Sequence, residues 1–205
     1  MFGRHSSKAR RAYVRQQSPA NLWHDAPVSA GELVIRTERV ADHLAIDDVV
    51  RAAFARHPDE VASLVERIRA SQQYVPEFAL VAEDASGVVA HVMLSWVGLE
   101  SPVRSRILNL TPMSVRPDRQ RIGIGSRLIR DVISRAQDAG EPAVVVEGID
   151  VYYPRFGFER ASALGFVAPH PKIPDAAFMV KRLPGYEAAL AGRIVYPAAF
   201  DALGY

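Results

Sequence analysis

The chain has 205 residues, 49% of them apolar, and a formal net charge of +2 at pH 7. That length suits one sizeable core and leaves little room for two full domains, and so small a charge does not point to a nucleic-acid partner. The absence of cysteine excludes disulfides, thiolate metal sites and cysteine nucleophiles. No apolar run approaches 18 residues, so we expect no membrane-spanning helix and predict a cytoplasmic protein.

Residues 1–31 are predicted to form a basic extension ahead of a folded domain at residues 32–205. Five Lys and Arg residues lie within the first 17 positions, but no apolar segment follows them, so the pattern is not that of a secretory signal. We expect a partly ordered tail, as is common at chain ends, and nucleic-acid binding by this arm is the weaker alternative. The aromatic residues of the arm and of the C-terminal tail also leave a homodimer open.

The first hundred residues carry patterns typical of two helices and a β-hairpin. Apolar residues recur at three- and four-residue intervals in two segments, which favours amphipathic helices, and Pro58 separates the segments. A turn-forming stretch over residues 84–87 joins two apolar, strand-like segments. The predicted elements are a strand over Glu32–Arg36, helices over Asp42–Ala55 and Glu60–Ala70, and strands over Phe78–Glu83 and Val88–Val97.

The next fifty residues predict a strand, a glycine-rich loop, a helix and another strand. Ser105–Val115 is strand-like, although Pro112 removes one backbone donor and therefore indicates a bulge or an edge position. Ser126–Ala139 has helical periodicity and ends before Gly140, and Ala143–Glu147 is a short, valine-rich strand of the buried type. This order of elements predicts an α/β fold with a mixed sheet.

The segment Gln120–Ser126 lies between the strand and the helix and has the character of an anion site. The first amides of a helix lack intrahelical partners, and the helix dipole places partial positive charge there. Gly123 and Gly125 allow a phosphate close to the backbone, while Gln120 and Arg121 offer side-chain donors. The Gly-Lys-Ser/Thr sequence of a P-loop and the third glycine of a dinucleotide fingerprint are both missing. An ordinary strand-to-helix turn is the alternative.

Residues 115–129 resemble the central motif of the GNAT superfamily of acetyltransferases, which is Gln or Arg, two residues, Gly, one residue, then Gly or Ala. Gln120, Gly123 and Gly125 supply that motif here. The resemblance implies that the preceding strand pairs its backbone with the pantetheine arm of acetyl-CoA and that the loop binds its pyrophosphate. The implied cofactor-binding residues are Met113, Ser114 and Val115 on the strand, and Gln120, Arg121, Ile122, Gly123, Ile124, Gly125 and Ser126 on the loop.

A second stretch resembles the closing motif of the same family, in which a Tyr precedes a Gly-Phe pair by four residues. Tyr153 takes that place ahead of Gly157 and Phe158. The resemblance covers residues 33–165, and the tail beyond looks like that of the YhbS-like branch. It implies a GNAT-type α/β fold, with a mixed, mostly antiparallel central sheet that is splayed at the cofactor cleft and flanked by helices. It also implies acetyl-CoA as co-substrate, and since the histidines show no metal-ligand spacing, we predict no metal.

Tyr153 and Glu147 are the predicted catalytic residues. The Tyr153 hydroxyl, with an ordinary pKa of about 10, would protonate the departing CoA thiolate; a core tyrosine stacked on its aromatic neighbours is the alternative. Glu147 ends the valine-rich strand where the sheet should splay, and would draw a proton from the attacking amine through water; a capping or salt-bridging glutamate is the alternative. Tyr152, directly before Tyr153, is expected to point elsewhere. The weaker candidates for the base are Glu83, His91 and Asp150.

The predicted function is the transfer of an acetyl group from acetyl-CoA to a primary amine of a small molecule or a protein. An acyl-CoA-binding sensor or interaction module without turnover is the alternative. Both readings share the cofactor site and differ only in the chemistry at Tyr153 and Glu147. Neither motif encodes the acceptor.

Overall fold

The computed structural model of the chain describes residues 33–204, so the predicted basic extension lies outside the described residues. Within that range the chain forms three α-helices and nine strands, joined by loops and short 3-10 turns. In chain order these elements are β1 (Val34–Thr37), α1 (His43–Ala53), α2 (Pro58–Arg69), β2 (Tyr74–Asp84), β3 (Gly87–Glu100), β4 (Arg106–Val115), α3 (Ile124–Asp138), β5 (Ala143–Glu147), β6 (Glu159–Arg160), β7 (Phe166–Val167), β8 (Phe178–Arg182) and β9 (Gly192–Val195).

All nine described strands belong to one mixed sheet in which antiparallel pairs predominate. The main order is β1-β2-β3-β4-β5-β8-β6, and β9 joins the far part of β3 to β7. The parallel pairs are β4 with β5 and β7 with β9. The predicted α/β architecture, with a mostly antiparallel central sheet flanked by helices, is therefore confirmed.

β4 and β5 run side by side for only three positions. Leu108–Leu110 pair with Val144–Val146 in parallel register, and no further pair forms between these two strands in the described residues. β4 continues to Val115, but its last three residues pair with β3 alone. The strands therefore part beyond Leu110, and a cleft opens in the sheet where the sequence predicts the splay.

Pro112 lies in a bulge of β4. The register of β4 against β3 shifts at this point, so Thr111 and Pro112 together stand opposite Met93. A bulge accommodates the missing proline N–H without breaking the strand. The predicted bulge is thus confirmed, whereas an edge position is wrong, because β4 lies inside the sheet between β3 and β5.

Several element boundaries differ from those predicted, and Pro58 shows why. It begins α2 rather than only separating two helices. Proline is favoured at the first helical position, because its fixed φ suits the helix and its missing N–H would have no partner there. Likewise α3 begins at Ile124 rather than Ser126, and β2 begins at Tyr74 rather than Phe78.

Two apolar cores lie on opposite faces of the sheet. The α3 core packs α3 and the aromatic residues that follow β5 against one face. The α1–α2 core packs these two helices and the C-terminal turn Ala198–Leu203 against the other. Side chains alternate between the faces along a strand, so β5 sends Val144 and Val146 to the α3 core and Ala143 and Val145 to the α1–α2 core. Both cores therefore support β5 at the point where it leaves β4.

A buried ionic cluster around Glu38 ties the α1–α2 side of the molecule together. The Glu38 carboxylate accepts two hydrogen bonds of 2.9 Å from Arg69 and one of 2.8 Å from the Tyr74 hydroxyl. Nε2 of His91 lies 2.9 Å from Oε2 of the same carboxylate. The four residues come from the loop after β1, from α2, from β2 and from β3, so one carboxylate links four parts of the chain.

The protonation states of this cluster follow from its burial and its contacts. Burial alone would raise the pKa of the Glu38 carboxyl, but the hydrogen bonds from His91 and Arg69 outweigh it and hold that pKa well below its ordinary value. Burial lowers the pKa of the His91 imidazole, and the bond to Glu38 offsets this only in part. The cluster therefore pairs one carboxylate with one guanidinium beside a neutral imidazole, which is the balance that buried ions require.

Glu38→Gln removes the carboxylate and leaves the Arg69 guanidinium without its buried counter-charge. We expect the free energy of unfolding, measured by urea denaturation, to fall by about 3 kcal/mol, since a buried charge that loses its partner is costly. Glu83→Gln is the matched control, because the Glu83 side chain is 40% exposed and pairs with Arg36, and we expect a loss below about 1 kcal/mol there. Equal losses in the two variants would contradict the argument.

Candidate functional site

The glycine-rich loop presents backbone amides at the start of α3. Gly123, which precedes the helix, has a left-handed backbone with φ of 90°. The Arg127 amide donates to the Gly123 carbonyl at 3.0 Å, and this is the first bond of the helical ladder. The amides of Ile124, Gly125 and Ser126 precede it and have no helical carbonyl to bind. They lie at the positive end of the helix dipole, so this end of α3 suits an anion.

Polar side chains hold the loop against the sheet. Nε of Arg119 lies 3.0 Å from Oδ2 of Asp84, at the end of the β2–β3 hairpin. The pKa of Asp84 is lowered to about 2, chiefly by the hydrogen bond from the Ser86 hydroxyl and then by that from Arg119. Gln120 donates from Nε2 to the Val115 carbonyl at 3.0 Å. Gln120, which the sequence analysis offers as a donor to phosphate, thus uses one N–H of its side-chain amide to close the loop.

Arg121 combines an exposed side chain with a strained backbone. Its φ is 64°, and among the described residues it is the one non-glycine with a positive φ. That conformation costs an L-residue on the order of 1 kcal/mol or more. With Gly123 also left-handed, the chain turns sharply before α3, and concave backbone of this kind binds anions through its N–H groups.

The end of β4 forms one wall of the cleft. Met113 is half-buried against the α3 core, whereas Ser114 is buried on the opposite face and donates from its hydroxyl to the His91 carbonyl at 3.4 Å. Val115 is buried beside the start of α3. Because these residues pair with β3 on one side and β5 has already diverged, the backbone groups on their other side face the cleft. An extended ligand could pair with them as a strand would.

Tyr153 is tightly packed just after the end of β5. It begins the 3-10 turn Tyr153–Phe156, and its ring lies directly over Gly148, where a Cβ atom would overlap the ring carbons. The ring makes T-shaped contacts with Tyr152 and Phe158, at centroid distances of 5.3 and 5.5 Å. The side chain belongs to the α3 core and is 3% exposed.

Glu147, the last residue of β5, is buried on the other face of the sheet from Tyr153. By alternation along β5 it shares the face of Val145 and the α1–α2 core. In register it lies opposite Phe178 of β8. The two predicted catalytic residues therefore flank one strand end from its two faces.

The structure separates two of the weaker base candidates from this strand end. Glu83 pairs with Arg36 on the β1–β2 side of the sheet. His91 is fully buried on β3 and bonded to Glu38, and its Nδ1 atom has no hydrogen-bond partner among residues 33–204. Asp150 is exposed in the loop that follows β5. Of the four carboxylate and imidazole candidates, Glu147 is the one buried at the opening of the cleft.

Tyr152 points toward the glycine loop, whereas the ring of Tyr153 lies over Gly148, so the two neighbouring side chains point to different places. A Cβ atom built on Gly125 would lie 3.1 Å from the Tyr152 hydroxyl oxygen. It would also lie 3.3 Å from a methyl carbon of Val115 and 3.4 Å from the sulfur of Met113. The hydroxyl thus lies at the first turn of α3. The sequence motif gives no signal for this, because its spacing concerns Tyr153 alone.

Ser95 and Asn109 are polar residues near the cleft that the sequence analysis does not single out. They stand opposite each other on β3 and β4, and both are fully buried. The Ser95 hydroxyl and both amide atoms of Asn109 have no hydrogen-bond partner within the described part of the chain. Buried polar groups without partners are costly and few. An asparagine within the apolar run Ile107–Leu110 is the sequence signal that could have drawn attention to this position.

Tyr152, Tyr153 and Glu147 are all buried close to the end of β5. Within residues 33–204, no three His, Asp or Glu side chains come together as a group that could hold a metal ion. Over the same range, no helix is both long and apolar enough to cross a membrane.

The sequence matches a known family and known relatives. The model of the acetyltransferase (GNAT) domain matches residues 76–160, which include both motifs. The uncharacterised N-acetyltransferase YjhQ of Escherichia coli strain K12 is 34% identical over 146 residues, which cover 69% of this chain and 78% of YjhQ. The uncharacterised N-acetyltransferase YhbS of the same strain is 29% identical over 152 residues, which cover 74% of this chain and 87% of YhbS.

Solved structures share the fold over most of the described chain. The structure of YhbS from Escherichia coli in complex with CoA has a TM-score of 0.75 at 28% identity, covering 84% of this chain and 93% of that one. A GNAT family acetyltransferase from Brucella melitensis, in complex with acetyl-CoA, has a TM-score of 0.67 at 30% identity, covering 84% of this chain and 100% of that one. Similarity of this extent supports the fold described above.

Gly148→Ala places a methyl group in the space of the Tyr153 ring. We expect the ring to leave the end of β5 and the free energy of unfolding to fall by about 1–3 kcal/mol, as is usual for overpacking. Urea denaturation measures the loss, and a crystal structure of the variant locates the ring. Gly185→Ala is the control, because a methyl group there meets its neighbours at 3.6 and 3.9 Å. A Gly148→Ala variant as stable as this control would show that the packing is looser than described.

Proposed function

The chain belongs to the GNAT family of N-acetyltransferases, as its motifs predict, and from this premise we propose that it transfers an acetyl group from acetyl-CoA to a primary amine. One observation carries the proposal. β4 and β5 part after three paired positions, the first turn of α3 lies beside the end of β4, and Tyr153 and Glu147 lie at the end of β5. A donor that is anionic at one end and reactive at the other suits that arrangement.

The donor is proposed to lie along the cleft. Its pyrophosphate binds the loop amides, its pantetheine arm pairs with the backbone of the strand, and its thioester reaches the place where the strands part. The CoA and acetyl-CoA bound by the two structural relatives support this choice of donor. The proposed contacts are Met113, Ser114 and Val115 for pantetheine, and Gln120, Arg121, Ile122, Gly123, Ile124, Gly125 and Ser126 for the pyrophosphate.

The chemistry is proposed to need one proton donor and one proton acceptor. The amine nitrogen attacks the thioester carbon, so the N–C bond forms and the C–S bond breaks. Glu147 accepts the amine proton through water, and the Tyr153 hydroxyl gives its proton to the sulfur; solvent then restores both groups. Because the two side chains lie on opposite faces of the sheet at one strand end, the base and the acid serve different atoms without competing for one position.

The remaining parts of the proposal concern the whole chain. The acetyltransferase domain is proposed to span residues 32–205, with residues 1–31 as a basic extension. The acceptor is proposed to be a small-molecule or peptide amine, with no nucleic-acid partner. The cytoplasm is the proposed location, since that is where acetyl-CoA is available as a donor. A homodimer stays a prediction.

Tyr153→Phe keeps the ring and removes the proposed proton donor. We expect kcat for acetyl transfer to fall about 100-fold, which lies within the range of general acid catalysis, with little change in the KM for acetyl-CoA. Both kinetic constants are measured from the rate of thiol release from acetyl-CoA with a panel of amines. Tyr186→Phe is the control, because Tyr186 contacts Arg182 and lies outside the cleft. Wild-type rates in Tyr153→Phe would leave Tyr153 as a core residue, and a wild-type protein that binds CoA but releases no thiol with any amine would favour the sensor.

Glu147→Gln removes the proposed base but keeps the shape of the side chain. We expect kcat/KM for the amine to fall about 100-fold near neutral pH. Part of the loss should be recovered at high pH, because the amine then deprotonates in solution and needs no base. The pH dependence of kcat/KM is the measurement, with Glu159→Gln as control, since Glu159 pairs with Arg182 outside the cleft. A pH profile parallel to that of the wild type would assign Glu147 a structural role.

A further inference from the structure

The Tyr152 hydroxyl lies at the end of α3 that carries the free amides. The Cα–Cβ direction of a helical residue tilts toward the helix N-terminus, so the place that a Gly125 Cβ would take lies on the side of those amides. The hydroxyl oxygen is 3.1 Å from that place. The same place is 3.3 Å from Val115 and 3.4 Å from Met113, so the hydroxyl lies between the first turn of α3 and the end of β4, close to the proposed pyrophosphate site.

Aromatic packing holds the ring of Tyr152 in this direction. Its T-shaped contacts with Tyr153 and Phe156 have centroid distances of 5.3 and 5.2 Å. The guanidinium carbon of Arg155 lies 5.6 Å from the centroid of the ring, and the side chain is 5% exposed. A ring enclosed in this way keeps its hydroxyl at one point, so a ligand that arrives there meets a preorganised donor.

The charges around the hydroxyl favour an anion. The start of α3 contributes partial positive charge, and Arg155 adds a full positive charge at the ring. The acidic residue of the loop, Asp118, is already paired with Arg116 and Arg119. A phenol that donates to a phosphate oxygen makes a short, charge-assisted hydrogen bond.

We infer that Tyr152 donates a hydrogen bond to the pyrophosphate of the acyl donor and is a binding residue of the site. The inference rests on the proposed function, which places the donor in the cleft. It also gives a reason for the second glycine of the loop motif. A side chain at Gly125 would meet the Tyr152 hydroxyl, Val115 and Met113 at 3.1 to 3.4 Å, so glycine keeps room for the hydroxyl and the phosphate together.

Tyr152→Phe tests this, because it keeps the ring and removes only the hydroxyl. The probes are CoA and dephospho-CoA, which contain the pyrophosphate, and pantetheine, which lacks it. We expect the Kd of CoA and of dephospho-CoA to rise about tenfold, as is usual when a hydrogen bond to a charged group is lost. The Kd of pantetheine should equal that of the wild type. Calorimetry measures the two nucleotides, and NMR titration measures the weaker ligand.

Tyr186→Phe is the matched control and should bind all three probes as the wild type does. An unchanged Kd for CoA in Tyr152→Phe would overturn the inference. So would an equal loss for pantetheine, because the hydroxyl would then support the fold of the cleft and not the pyrophosphate. A wild-type protein that fails to bind CoA would overturn the proposed function itself, so the two failures are distinguishable.

Discussion

The short pairing of β4 with β5 is the constraint on which the rest of the site depends. The two strands share three positions, and the chain has local reasons for ending the pairing there. The bulge at Pro112 changes the course of β4, and the Gly148 amide, directly after β5, donates to the Ala177 carbonyl at 2.9 Å and so turns away from β4. Backbone groups along the end of β4 lose a strand partner and must bind something else. The pantetheine arm of the proposed donor, which has amides of its own, would meet that need.

Several charged side chains of the frame around the site are paired with one another. Arg119 is held by Asp84, and Arg69 by Glu38, so these ions fix the hairpin, the loop and the α1–α2 side relative to the sheet. Of the groups proposed to meet the donor, most are neutral dipoles, namely backbone amides and tyrosine hydroxyls. Neutral donors held in place by a rigid frame need little reorganisation when an anionic ligand binds or charge develops. The ion pairs thus stabilise the frame, whereas the proposed chemistry of the cleft is assigned to other residues.

The sequence predicts those parts of the molecule that local patterns encode. The helices α1 to α3, the β2–β3 hairpin and the bulge at Pro112 follow from periodicity, turn residues and the missing proline N–H. The two-residue strands β6 and β7 are too short to carry a period, and they form only because distant strands accept them. Contacts between residues that are distant in the chain also determine how a side chain is used, which the local sequence pattern does not reveal. The Gln120 amide closes the loop because the Val115 carbonyl is within 3.0 Å, and no residue spacing reports that distance.

The glycine-loop motif and the closing motif pack against each other in the structure, and the two adjacent tyrosines make the contacts. Successive residues of a 3-10 turn diverge by roughly 120°, so adjacent tyrosines at its start can direct their side chains to different points along one ligand. Each tyrosine is matched by a glycine from another segment: Gly148 makes room for the ring of Tyr153, and Gly125 for the hydroxyl of Tyr152. The second glycine of the loop motif and the tyrosine that directly precedes the closing motif therefore constrain each other in space. A bulkier residue at Gly125 would therefore displace Tyr152, although 27 positions separate the two residues in the chain.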